Sequence, residues 1–162
     1  MTARRCSLIL SALLCLCAVL NACSSAAPAN LPVSASLQSY DSYDELCAAI
    51  GYDMVRIGGG GFEPVAYSSI DGIVGQIEYR NEGAELTLRT EPGDEGDITG
   101  VGQVTYSISD VNGVDLHVGF FKDIQAAWFV SGDFSYSLTA TGMETEVFNG
   151  MADQLAHAVT DV

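Results

Sequence analysis

From residue 73 to residue 138 apolar and polar residues alternate with a period of two, and that rhythm constrains the fold more than any other feature of the chain. Ile73, Gly75, Ile77 and Tyr79 alternate with Val74, Gln76, Glu78 and Arg80, and Leu86 and Leu88 with Thr87 and Arg89. Val104, Tyr106 and Ile108 alternate with Thr105, Ser107 and Ser109, then Val114, Leu116, Val118 and Phe120 with Asp115, His117 and Gly119. Successive side chains of a strand point to opposite faces, so each run reads as a strand with one apolar face. Asn112-Gly113 between two such runs is a strong hairpin signal, because both residue types tolerate positive φ. A last pair, 126–130 and 134–138, turns at Ser131-Gly132-Asp133.

Two helical patterns flank the strands. Asp41 or Ser42 caps a short helix with Asp44 and Glu45 in its first turn, and Leu46, Ala49 and Ile50 recur at helical spacing until Gly51 stops it. At the other end Met143, Val147, Met151, Leu155 and Val159 recur every four residues, with Phe148 widening the stripe, which predicts an amphipathic helix. The expected fold is α+β: an antiparallel meander of six or seven strands, its apolar face covered by an N-terminal and a C-terminal helix and its other face polar. Thr87, Arg89, Thr105, Ser107, Ser109, Asp115, His117, Ser135, Ser137 and Thr139 fall in the polar phase, a hydroxyl-rich surface that ordinary solvation explains and that could alternatively dock an envelope protein or polar ligand. Trp128 and Tyr136 are expected in the core. Phe121 and Phe129, out of phase with their neighbours, are expected under a loop or in an exposed aromatic patch.

The N-terminus follows different rules. Arg4 and Arg5 precede an apolar run from 8 to 20 that is shorter than the roughly 20 residues needed to cross a bilayer, and reads as a secretory signal. Leu20-Asn21-Ala22-Cys23 closes it and resembles the lipobox of secreted lipoproteins, Asn21 alone departing from the common pattern. The resemblance implies cleavage before Cys23 and a diacylglyceryl group on its sulfur, hence a membrane anchor facing outside the cytoplasm. Residues 24–39 contain Pro28 and Pro32 and no charge, the composition of a tether. The expected organisation is a signal peptide over 1–22, lipidated cysteine and tether over 23–39, and one domain over 40–162. Cys6, Cys15 and Cys17 lie in the signal and Cys23 is assigned to lipid, so Cys47 has no disulfide partner and reads as a small buried hydrophobe.

The chain carries 21 Asp and Glu against 6 Lys and Arg, a net charge of -15. Beyond the signal only Arg56, Arg80, Arg89 and Lys122 are cationic. Phosphate backbones and anionic lipid are bound through clustered Lys and Arg, so nucleic acid is excluded as a partner and membrane attachment falls to Cys23. The acidity reads as solubility and repulsion from an anionic envelope, or as attraction of cations or a basic partner.

No reaction centre is legible. Gly58–Gly61 lacks the Lys-Ser or Lys-Thr of a phosphate loop and reads as a turn. Glu91, Asp94, Glu95 and Asp97 crowd one loop and are weak candidates for calcium, in an order that fits no calcium-loop template. His117 and His157 have no partner at metal-ligand spacing, and no GxSxG elbow accompanies the serines. No cofactor is expected.

Ile77-Glu78-Tyr79-Arg80, Leu86-Thr87-Leu88-Arg89, Asp97-Ile98-Thr99-Gly100, Ala127-Trp128 and Phe134-Ser135-Tyr136-Ser137-Leu138 occur in an order that resembles a domain-of-unknown-function family of extracytoplasmic lipoproteins and anti-sigma-factor-like proteins of Gram-positive bacteria. The resemblance covers roughly Phe62 to Val159 and implies an extracytoplasmic sheet domain closed by a helix. It carries no catalytic residues, and sigma-factor regulation is not carried over. The function expected is a membrane-anchored binding or interaction module and not an enzyme, with another envelope protein as candidate partner. The alternatives are a divalent-cation-responsive protein acting through loop 91–97, and a cryptic hydrolase built on His117 or His157.

Overall fold

The computed structural model describes residues 35–160. Cys23, the signal and most of the tether lie outside them. The elements are β1 (Leu37–Tyr40), α1 (Tyr43–Ile50), β2 (Glu63–Ile70), β3 (Val74–Asn81), β4 (Ala84–Pro92), β5 (Thr105–Val111), β6 (Val114–Phe121), β7 (Ile124–Ser131), β8 (Phe134–Thr141) and α2 (Thr145–Thr160). The α+β class holds. The strand count does not: one antiparallel sheet of eight strands runs in the order β1-β2-β3-β4-β8-β7-β6-β5. It consists of two four-stranded meanders joined edge to edge at β4 and β8, the link between them being residues 93–104.

The two strands beyond expectation carry no clean alternation. β1 reads Leu-Gln-Ser-Tyr and takes in residues 37–39, the end of the stretch assigned to the tether. β2 contains Pro64, its register shifts between Pro64 and Ala66, and the residues it buries are Ser68 and Ser69. A proline demotes a strand reading, and buried serines hide its inner face from a hydrophobicity pattern.

α1 starts with a reciprocal cap. Ser42 Oγ accepts from Glu45 N–H at 3.2 Å while Glu45 Oε2 accepts from Asp41 N–H at 3.1 Å, and Gly51 ends the helix at φ +84°. Leu46 and Cys47 are its buried residues, Cys47 being a free thiol. α1 lies over β1–β3 and α2 over β5–β7, and both feed one core with Ile77, Tyr79, Leu88, Phe129 and Leu138. Ala35–Val162 forms one compact unit with this core.

Two placements differ from the sequence reading. In β5 the two-residue turn at Asn112-Gly113 pairs Val111 with Val114, so Ser107 lies opposite Val118 and Ile108 opposite His117. Thr105, Ser107 and Ser109 therefore share the helix-side face, and Tyr106 and Ile108 the other; turn geometry set the register against the apolar pattern. Trp128 pairs with Ser137 and His117 on the face away from the helices, so it is not part of the expected core. Phe129 takes that place, fully buried and stacked on Tyr136 at 5.1 Å.

Candidate functional site

The polar face of the sheet is not open at its centre. Residues 93–101 fold back across it, and Ser135 and Ser137 are 0% and 1% exposed. Ser135 Oγ donates to Gly93 O at 3.1 Å and accepts from Gly96 N–H at 3.2 Å. Arg89 is the strut: its Nε donates to Gln76 Oε1 at 2.8 Å and its Nη1 to the carbonyls of Thr99 (2.5 Å) and Ile98 (3.2 Å). Burial pushes the Arg89 pKa down, with Glu78 opposing. The centre of a face expected to be solvated, with docking as the alternative, is thus covered by the chain's own loop.

The four acidic candidates are not brought together. Asp97 spends both carboxylate oxygens on the loop, Oδ1 accepting from Thr99 N–H and Oγ1–H at 2.9 and 2.6 Å and Oδ2 from the Tyr106 hydroxyl at 2.7 Å. Tyr106 is thereby held in its phenol form, its pKa pushed up to about 12 by burial first and by Asp97 as well. Glu91 is half-buried, and burial together with Glu95 raises its carboxyl pKa. Asp94 and Glu95 are exposed. Among the described residues no three His, Cys, Asp or Glu side chains gather as metal ligands.

The histidines also go to separate places. His117 stacks on Trp128 with ring centroids 3.7 Å apart, Tyr106 meeting both rings edge-on at 6.2 Å. His157 Nδ1 lies 3.0 Å from Asn112 Nδ2, and its Nε2 lies 3.7 Å from Asp153. Neither contact set includes a serine. Phe121 is half-buried at the β6–β7 turn with the Lys122 ammonium 5.1 Å from its ring.

A cavity lies on the other face, where nothing in the sequence marked it. Between the segment 55–62 and α2 runs a half-open groove of about 770 Å³, within the range of about 300–1,000 Å³ usual for ligand pockets. Both walls are pinned. On one, Tyr43 donates to Met54 O at 2.6 Å, Ile57 N–H to the Tyr79 hydroxyl at 3.1 Å and Asn81 Nδ2 to Gly60 O at 2.7 Å. On the other, Gln125 Nε2 holds Met143 O at 2.6 Å just ahead of α2. At one end Gly142 has φ +69°, and a Cβ there would lie 2.6 Å from Gly83 O, so only glycine lets the β3–β4 hairpin come this close.

The stripe expected on α2 packs on the core in part and borders the groove in part. The helix buries Phe148 and Leu155 of the expected stripe together with Ala152 and Ala156. Of the line expected in the core, Leu155 is buried and Met143, Met151 and Val159 pack partly against the core, while Val147 is 52% exposed; Met143, Val147, Met151 and Leu155 also border the groove. The Gly58–Gly60 run forms part of the opposite lip, with Val55, Ile57 and Phe62 behind it. Among the described lining residues none is Ser, Thr, Cys, His or Lys, and Arg56, Glu82, Glu144 and Glu146 are its charged groups. No helix among the described residues is long and apolar enough to cross a membrane. No protein family, curated protein or solved structure matches the chain.

Proposed function

We propose that the protein is an extracytoplasmic binding module, tethered to the membrane by lipid on Cys23, that takes an apolar ligand into the groove between residues 55–62 and α2. One observation carries the reading: the groove is preformed between hydrogen-bonded walls, and its apolar lining includes a valine left half in water on an otherwise well-packed helix. Soluble proteins seldom leave such side chains gathered in a concavity without use. The lining residue types favour binding over catalysis.

Two experiments test the two halves. For the groove, Nile red added to residues 35–162 should fluoresce on binding, and Val147→Asp should abolish the signal without lowering the thermal midpoint. Equal dye binding by the variant would remove the groove from the account. For the anchor, metabolic labelling with palmitate should mark the wild-type chain and miss Cys23→Ala. Undiminished labelling of the variant would refute lipid attachment at that residue.

A further inference from the structure

We propose that the occupant of the groove is a basic amphipathic segment of another protein, its apolar side chains seated between residues 55–62 and α2 and its Lys or Arg residues meeting Glu82, Glu144 and Glu146; this rests on the binding reading above. These three carboxylates stand among the residues lining the groove, all three exposed. None of them is in an ion pair among the described residues. The one cation of the lining, Arg56, has its guanidinium 4.7 Å over the Tyr43 ring.

The charge of the groove margin and the charge of the whole molecule have the same sign, 21 acids against 6 cations, so the field at the mouth selects for positive charge. A fatty acid or anionic lipid would carry its head into that field at a cost, whereas an amphipathic segment lays its apolar face in the groove and keeps its cations at the margin. Met143 and Met151 suit such a partner, because unbranched, polarizable thioethers adapt to differently shaped side chains. The glycine lip serves the same end, since residues without a Cβ can follow the contour of the segment that docks.

The test uses residues 35–162 and two synthetic peptides with the same leucines at helical spacing, one flanked by lysine and one by glutamate. By titration calorimetry at low ionic strength the lysine peptide should bind at least about tenfold more tightly, and added salt should shrink the difference. Glu82→Gln/Glu144→Gln/Glu146→Gln should remove the preference while leaving the thermal midpoint unchanged, and Val147→Asp should weaken binding of the glutamate peptide further. Equal affinity for the two peptides overturns the charge assignment and leaves the binding reading standing. Nile red binding without either peptide assigns the groove to a small apolar ligand and overturns this proposal alone. If neither dye nor peptide binds, both readings fall.

Discussion

The hydroxyl of Tyr52 sits where backbone groups of two strands converge. It accepts from Gly75 N–H at 3.0 Å and lies 2.6 Å from Thr90 O and 2.8 Å from Ile73 O, its single proton shared between the two carbonyls. Burial pushes its pKa up to about 12, and the same cause puts Tyr43 and Tyr106 at about 12. A free tyrosine ionises near 10.0, so between pH 10 and about 12 the unfolded chain has lost protons that the folded chain keeps. The stability present below pH 10 is therefore lost as pH rises through that window. Urea midpoints should fall steeply there for the wild type and less steeply for Tyr52→Phe. At neutral pH the variant should already be less stable by about 1–3 kcal/mol, because the Gly75 amide loses its partner. A variant with an unchanged alkaline slope would show that Tyr52 does not carry the effect.

On α2, adjacent residues divide between the core and the groove. Phe148 is wholly buried and Val147 is not, so Phe148→Ala should cost about 3–5 kcal/mol while Val147→Ala stays within about 0.5 kcal/mol. Chemical denaturation of the two variants separates them, and comparable losses would place Val147 in the core after all. The helix itself was legible from its period, as were α1 from its cap and six of the strands from their alternation. Its buried face was legible only in part: Phe148 and Leu155 are buried as the stripe implied, but Val147 is not, because an apolar line has the same spacing whether it packs on a sheet or borders a cavity. The orientation of β5 was equally hidden. Edge position and a two-residue turn decided it, and Tyr106 and Ile108 went to the face where Trp128 and His117 lie.

At the scale of the molecule, the loop of acids drew attention in the sequence and proved to be a cover, held by Arg89 and locked by Asp97 onto Tyr106. The groove drew none, because residues 55–62 and 142–158 are far apart in the chain and meet only once the two meanders join at β4 and β8. No motif spans such a gap. What the sequence did convey was a surplus of carboxylates that the groove margin shares. The most direct test is methyl NMR of residues 35–162 with labelled methionine, titrated with the lysine-flanked peptide. The account predicts saturable shifts of the Met143 and Met151 methyls with Met54, buried beneath α1, unmoved; binding that leaves Met143 and Met151 in place would contradict it.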